Sequence, residues 1–278
     1  MNLLLHLPVV LLSAAPPSPA ASAAIAEGDA QYERRAEGAR GGVADPARVD
    51  AAMAAYRRAI TLDPHSLEAR AGLLRAIFFR GGFCDAEAPL QIRIFEEAKR
   101  LSEDTVQMLE KSLGSPRGPA RIQALQGVPA ATRVYFWSAV SWGQWASDHK
   151  LAAAWQGAAV RMRDLAQTVV DLDPGMDQGS AYLLLGRLNV ECPKIPMLTH
   201  WISRTQGLLY LRKALAIGPQ NTPNIYFLAD AILDNQPARK DEARRLLEQC
   251  ATAAPRPEYL VEDAHYADMA RARLASIR

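Results

Sequence analysis

The sequence contains the segment Tyr56-Arg-Arg-Ala-Ile-Thr-Leu-Asp-Pro64, which returns as Ala166-Gln-Thr-Val-Val-Asp-Leu-Asp-Pro174 and as Leu211-Arg-Lys-Ala-Leu-Ala-Ile-Gly-Pro219. A looser fourth copy is Leu247-Glu-Gln-Cys-Ala-Thr-Ala-Ala-Pro255. Every copy places a small or branched apolar residue five positions before the proline, and further apolar residues four and two positions before it. This spacing is typical of one helix face, and the proline ends the helix.

A second amphipathic segment follows each proline, most clearly at 66–80, 179–190 and 223–234. A helix pair repeated in this way is the tetratricopeptide pattern, in which a unit of about 34 residues buries its apolar face only by stacking on its neighbours. Strand-like alternation is absent, and Ala, Leu, Arg and Glu dominate these segments. The sequence therefore predicts an all-α fold, an irregular tetratricopeptide-like array of antiparallel helix pairs that forms a compact superhelix.

The array is irregular because the four prolines are separated by 110, 45 and 36 residues. The longest interval has room for further helices, and the periodicity predicts them at 90–113 and 131–147. Residues 259–278 predict one more helix, which would cap the array with a polar outer face.

Residues 131–147 are apolar on every side of the predicted helix. The three faces are, in turn, Tyr135, Ala139 and Trp142; Val134, Ser138, Ser141 and Trp145; and Phe136, Val140 and Gly143. A helix that is apolar all round is buried all round, so it is expected to be sandwiched between other helices. The alternative is that one of these faces lines an apolar cavity or groove.

A long segment, 191–201, separates two predicted helices and contains Pro193 and Pro196. Its apolar residues Met197, Leu198 and Trp201 favour either a functional lid or an arm that covers a helix edge. The sequence leaves both interpretations open.

The first residues have the pattern of an export signal. Residues 3–12 form an apolar stretch that is too short to span a bilayer, and Ala21-Ser-Ala23 is a small-x-small cleavage site. We therefore predict a signal peptide over 1–23, a single helical domain over 24–278 and a periplasmic location. No lipobox cysteine follows the signal, since the three cysteines are Cys84, Cys192 and Cys250.

An oxidising compartment permits a disulfide, so a bridge between Cys84 and Cys192 stays open. Cys250 occupies the repeat position where other copies carry Ala or Val, which predicts a small core residue.

Charge and motif content exclude several classes of function. The 278 residues contain 32 Lys and Arg against 30 Asp and Glu, so the net charge of +2 lacks the basic footprint of a nucleic-acid binder or an anionic-membrane binder. The five histidines have no metal-ligand spacing, and no nucleophile-elbow, P-loop or dinucleotide motif occurs. We therefore expect no catalysis, no metal and no cofactor.

The order of these segments resembles the TatT family of tetratricopeptide proteins, which are associated with TRAP transporters in the bacterial periplasm. The aromatic helix ending in Gly143-Gln-Trp-Ala146 and the later Leu185-Gly-Arg-Leu188 followed by Pro193 are the most specific parts. The remaining matching segments are Leu172–Pro174, 179–188, Ala214–Pro219, Asn224–Ala231 and Glu242–Leu247. Together the resemblance covers about residues 50–260.

The resemblance implies an all-helical domain that assembles as a homotrimer, with a hydrophobic channel through each subunit. It also implies a partner, the substrate-binding protein of a TRAP transporter, and a hydrophobic or organic-acid ligand. Known members are lipoproteins, and this chain departs from them because the lipobox cysteine is missing. The motif positions carried over are Tyr135, Trp137, Trp142 and Trp145, with Gly143, Gly186 and Arg187.

The candidate ligand- or partner-binding residues are Tyr135, Trp142, Trp145, Arg187 and Trp201. Arg187 stands beside apolar residues, so it must reach solvent, meet a carboxylate or bind an anionic ligand group. The alternative function is a generic tetratricopeptide scaffold for protein–protein interaction, in which a concave face takes a peptide and the aromatic residues only pack the core. Assembly alone is a third hypothesis.

Overall fold

Thirteen α-helices and two short 3₁₀ turns account for most of residues 18–277, the part of the chain that the computed structural model describes. No β-strand occurs within that range. The helices are α1 Pro19–Glu33, α2 Pro46–Leu62, α3 Leu67–Phe83, α4 Ala88–Ser112, α5 Pro119–Gln126, α6 Ala131–Asp148, α7 Lys150–Trp155, α8 Ala158–Leu172, α9 Met176–Glu191, α10 Arg204–Ile217, α11 Thr222–Asn235, α12 Lys240–Thr252 and α13 Leu260–Ser276. The 3₁₀ turns are Pro237–Arg239 and Pro257–Tyr259.

The repeated proline segments end helices as the sequence predicts. Helices α2, α8 and α10 each end two residues before their proline, and α12 ends three residues before Pro255. Asp63 and Asp173 follow α2 and α8 directly, and each side chain accepts a hydrogen bond at 3.0 Å from the backbone amide two residues further on. These aspartates shape the turn into the next helix.

The small residue five positions before each proline is fully buried in all four copies. These residues are Ala59, Val169, Ala214 and Cys250. The position two before the proline does not follow the predicted face in every copy, since Leu62 is 52% and Ile217 is 37% exposed. Both are the last residues of their helices, so the buried face stops about one turn short of the helix end.

Each helix packs chiefly on the helices next to it in the chain, and the short α5 and α7 stand aside from the main stack. Short turns join most of these neighbours, so consecutive helices run antiparallel. The chain is an all-α, irregular tetratricopeptide-like array of antiparallel helix pairs, as predicted.

The array also closes on itself, because α13 contacts α3 as well as α11 and α12. At this closure Arg35 forms an ion pair with Glu262 at 2.8 Å, and the rings of Phe83 and His265 meet with their centres 5.3 Å apart. The two ends of the superhelix therefore meet around a central space.

Helix α1 belongs to the packed fold. It lies along α2, with Ala21 and Ala24 buried and with Tyr32 in an apolar cluster that it shares with α2 and α3. The predicted cleavage after Ala23 falls within α1, and the apolar stretch 3–12 lies outside the described residues. The signal peptide and the domain boundary at residue 24 stay predictions. None of the helices within residues 18–277 combines the length and the apolar character that crossing a membrane requires.

Candidate functional site

The central space of the superhelix is a cavity of about 1500 Å³. Its walls come from α1, α3, α6, α7, α8, α9, α11 and α13, together with residues 192–199. This volume exceeds the range of about 300–1000 Å³ that is typical of small-molecule sites. The cavity therefore has room for a long ligand or for a segment of another chain.

Aromatic rings that are only half-buried form much of the wall. Phe78 on α3 and Trp137 on α6 lie with their ring centres 5.6 Å apart, and Phe227 on α11 and Tyr266 on α13 are also 5.6 Å apart. Helix packing covers one part of each ring and leaves the other part open to the cavity. Such rings provide a large apolar contact area at little cost in side-chain entropy.

Charged side chains stand between these rings, and several of them are paired. Arg35 binds Glu262 at the closure of the array, and the Nε atom of Arg187 lies 2.7 Å from Oε1 of Glu191. Burial raises the pKa of Glu262, against the opposing effect of the Arg35 guanidinium.

The cations Arg133 and Lys150 also line the cavity, and neither forms an ion pair with another residue of 18–277. They lie near opposite ends of α6, since Arg133 is in its first turn and Lys150 begins α7 just after its last residue. The carboxylates Glu68 and Glu258 line other walls and are unpaired on the same criterion within the described part of the chain. The cavity thus offers charges of both signs on an apolar background.

Two guanidinium groups lie over the ring of Tyr32 in the wall. The Cζ atom of Arg75 is 3.9 Å from the ring centre and that of Arg35 is 4.6 Å from it. Burial raises the pKa of Tyr32 to about 12, so its hydroxyl stays protonated at neutral pH. The face of the Tyr32 ring attracts both guanidinium groups electrostatically and so helps to hold them at the cavity wall.

A left-handed turn at 177–179 interrupts the beginning of α9 beside the cavity. Asp177, Gln178 and Gly179 have φ of 43°, 59° and 84°. A conformation that costs energy persists only where its surroundings hold it. Tyr259 donates a hydrogen bond to Asp177 at 2.7 Å, and Arg256 donates to Gln178 at 3.1 Å. The turn therefore ties α9 to the segment that precedes α13.

The five predicted site residues do not converge on this cavity. Arg187 is the only one of them that lines it, and its guanidinium lies 3.9 Å from the ring centre of Phe227. It meets a carboxylate, Glu191 of the same helix, which is one of the three outcomes that the sequence left open. Tyr135 is fully buried behind the wall, and its hydroxyl donates a hydrogen bond to Glu110.

Trp142 and Trp145 are also buried, in an apolar cluster with Ala153 and Ala158. Trp142 borders a smaller groove of about 470 Å³ between α4, α5, α6 and α8. Trp201 is half-buried under the guanidinium of Arg163, whose Cζ atom lies 4.6 Å from the ring centre.

The aromatic helix nevertheless lines the cavity, through the third of its three faces. Phe136, Val140 and Gly143 belong to the wall, and Trp137 and Gln144 extend it. The other two faces are packed against neighbouring helices. Both interpretations of this helix therefore hold, each for a different face. Sequence reasoning passed over Trp137, Phe78, Phe227 and Tyr266 as site residues, because their half-burial depends on helices far apart in the chain.

The proline-containing segment forms part of the same wall. Ile195, Met197 and Leu198 line the cavity. The hydroxyl of Thr199 donates a hydrogen bond to the carbonyl of Pro193 and accepts one from the amide of Ile195, both at 2.7 Å. The segment is thus braced internally.

Comparison with protein-family models and with curated proteins gave no match. Among solved structures, the chain is similar to the complex described as "TPR2AB-domain:pHSP90-complex of yeast Sti1". The identity is 15%, the TM-score is 0.31, and the alignment covers 92% of this chain and 97% of that one. Among residues 18–277, no group of three or more His, Cys, Asp or Glu side chains is placed to hold a metal ion.

Proposed function

We propose that the protein is a non-catalytic binding protein of the periplasm, of the TatT type, and that its central cavity holds a hydrophobic or organic-acid small molecule. The observation that carries this proposal is the set of half-buried aromatic rings around about 1500 Å³ of space. Rings such as Trp137 and Phe227 gain dispersion contacts and lose water when an apolar ligand covers them. A cavity built only for packing has no such open rings.

The charges of the wall support a ligand with an acidic group. Arg133 lies near the start of α6 and Lys150 just beyond its end, and neither has a carboxylate partner in the described part of the chain. An organic acid placed with its carboxylate at Arg133 leaves its apolar part against the rings of Phe136 and Trp137, three and four residues further along the same helix.

The proposal includes the partner that the family resemblance implies. In a TRAP-type transport system the chain would bind the substrate-binding protein and pass the ligand to it or take the ligand from it, as a homotrimer. This step is supported by the position of the two motifs that carry the resemblance. Arg187 of the Leu-Gly-Arg-Leu motif lies in the cavity wall, and the aromatic helix contributes one of its faces to the same wall.

The alternative is a periplasmic scaffold without any link to a transporter, whose concave surface takes a peptide. The wall carries both signs of charge, and this favours the alternative. Besides its cations it contains the carboxylates of Glu68 and Glu258, which have no ion-pair partner in the described part of the chain. A peptide supplies mixed charges and a polar backbone along its length, whereas a small organic acid leaves these carboxylates unused.

Native mass spectrometry of protein purified from the periplasm tests the proposal first. A trimer that releases an apolar or carboxylated small molecule on denaturation is the expected result. An empty monomer would contradict the proposal and favour the peptide scaffold.

A binding assay with a defined probe tests the cavity itself. We expect the fluorescent fatty acid dansylundecanoate to bind the full chain, and Trp137→Ala to weaken its binding by at least about tenfold, which corresponds to about 1.4 kcal/mol. Trp155→Ala is the matched control, because Trp155 does not belong to the cavity wall. Equal binding by the parent protein and Trp137→Ala would contradict the assignment of the cavity.

A further inference from the structure

The most exposed large apolar side chains of residues 18–277 lie beside the cavity, in two short segments. Met197 is 93%, Trp155 is 89% and Leu151 is 81% exposed, and Leu198 next to Met197 is 50% exposed. We call these four residues the rim. Large apolar side chains elsewhere in the described chain reach at most 56%, at Leu209.

Both segments of the rim border the cavity. Leu151 and Trp155 are four residues apart on α7, so they share one face of that helix. The neighbours Ala153 and Ala154 line the cavity, as do Met197 and Leu198 themselves. The contact between Arg163 in α8 and Trp201 holds the proline-containing segment against the helix that follows α7.

The rim is accompanied by a surplus of positive charge. Residues 149–163 and residues 192–229 contain no Asp or Glu, and of the carboxylates that border them Glu191 is paired with Arg187, Asp164 with Arg163 and Asp230 with Arg273, which leaves Asp148. Lys150 and Lys194 are exposed within these segments, and neither is paired with another residue of the described chain. The balanced charge of the whole chain hides this local surplus, so the sequence predicted no partner guided by charge.

We propose that the rim docks on the surface of an anionic phospholipid bilayer. Tryptophan is favoured at the level of the headgroups, and leucine and methionine side chains gain from burial at the boundary with the acyl chains. Lysines near such a surface add attraction to the anionic headgroups. Trp155, Leu151 and the two lysines thus combine the two contributions that peripheral membrane binding requires.

Charge argues against the other occupants of this surface. A contact between the rims of two copies of the chain brings together two surfaces that each carry Lys150 and Lys194, and like charges repel. A protein partner would have to supply all of the carboxylates as well as an apolar face. A bilayer supplies phosphates and an apolar interior together.

The position of the rim also suggests what docking does. A lipophilic ligand that leaves the bilayer at Met197 and Leu198 enters a cavity lined by the same two side chains, and it crosses no bulk water. Only this step rests on the proposed function, since the docking itself depends on the rim alone.

Cosedimentation of the full chain with large unilamellar vesicles tests the proposal. We expect binding to vesicles that contain phosphatidylglycerol, weaker binding to pure phosphatidylcholine, and a decrease with added salt because the lysines are screened. The double variant Leu151→Ser/Trp155→Ser is expected to bind at least about tenfold more weakly. Leu62→Ser is the matched control, because Leu62 is 52% exposed and lies outside the cavity wall.

Tryptophan emission supplies a second readout. Trp155 is far more exposed than Trp142 and Trp145, so we expect vesicles to shift the emission to shorter wavelength in the parent protein and not in Trp155→Phe. Failure of the parent to bind either vesicle, or equal binding by the double variant, would overturn the proposal. A change of native mass in the double variant without vesicle binding by the parent would assign the rim to a contact between copies instead.

The same variants separate this proposal from the proposed function. Leu151→Ser/Trp155→Ser is expected to bind dansylundecanoate as the parent does, because neither residue belongs to the cavity wall. Trp137→Ala is expected to lose probe binding and to keep vesicle binding. Unchanged vesicle binding by Leu151→Ser/Trp155→Ser would contradict the docking proposal alone, and unchanged probe binding by Trp137→Ala would contradict the cavity proposal alone.

Discussion

The rings of Trp142 and Trp145 meet edge to face with their centres 5.7 Å apart, and the ammonium group of Lys99 lies 4.4 Å from the centre of the Trp142 ring. Both rings are buried between α6, α7 and α8, away from the central cavity. Their contribution is therefore expected in the stability of the fold rather than in ligand binding.

Replacement of Trp142 tests this assignment. We expect Trp142→Ala to lower the free energy of unfolding by about 3–5 kcal/mol, because it removes a large buried side chain and leaves a cavity. Urea denaturation measures the change. Trp155→Ala is the control and is expected to stay within about 0.5 kcal/mol of the parent, because its side chain is 89% exposed. Unfolding of Trp142→Ala at the parent's urea midpoint would place this ring outside the core.

The sequence predicted the array because its signals are local. A helix face, a following proline and a second amphipathic segment are read within about 34 residues, and they located Ala59, Val169 and Ala214 in the core. The same reasoning divided the aromatic helix into three faces, but it could not choose the one that lines the cavity, because all three are apolar. That choice depends on which neighbouring helix covers each face.

The cavity itself could not be predicted, because it results from contacts between distant parts of the chain. Arg35 and Glu262 meet across 227 residues, and their contact depends on the accumulated rotation of every helix pair between them. The exposed Trp155 was not recognised for a similar reason. The sequence does not distinguish a tryptophan that packs from one that projects from a six-residue helix.

Gly186 lets α10 approach α9 closely, and this contact yields a second prediction. A β-carbon at Gly186 would lie 2.6 Å from Cγ of Leu211 and 3.1 Å from its backbone nitrogen. Because the backbone cannot move away easily, Gly186→Ala is expected to lower the free energy of unfolding by about 1–3 kcal/mol.

The matched control for Gly186 is Gly82 in α3, whose β-carbon would have no neighbour closer than 4.0 Å. Gly82→Ala is expected to leave stability unchanged or to raise it by up to about 1 kcal/mol, since alanine favours the helix. Urea denaturation of both variants measures the difference, and an equal effect of the two substitutions would show that α9 and α10 are not tightly packed at Gly186.

His265 at the closure of the array predicts a dependence of stability on pH. Its ring packs edge-on against Phe83 and Tyr266, and burial lowers its pKa from the usual 6.5, against the opposing charge of Asp268. The unfolded chain therefore takes up a proton at a pH where the folded chain does not. This contribution to stability is complete above pH 6.5 and is lost as the pH falls below that value.

Comparison of the parent protein with His265→Gln isolates this effect. Urea denaturation between pH 7.5 and about 5 is expected to show a smaller loss of stability in the variant. Glu262 acts in the opposite direction, because its pKa is raised in the folded state, but it is present in both proteins. His200→Gln, at an exposed position, is the control. Parallel curves for the parent and His265→Gln would mean that His265 is open to water in solution.

The three cysteines predict a graded reactivity toward thiol reagents. All three lie within residues 18–277 and none forms a disulfide. Burial raises the pKa of Cys84 to about 11 and that of Cys250 to about 12, whereas Cys192 is half-buried at the cavity wall and its pKa is raised less. Because the thiolate is the reactive form, a maleimide at pH 8 is expected to label Cys192 first and Cys250 only after unfolding. Mass spectrometry measures the order, and Cys192→Ser should abolish the fast reaction. A denatured, unreduced chain with only one reactive thiol would instead indicate a bridge between Cys84 and Cys192.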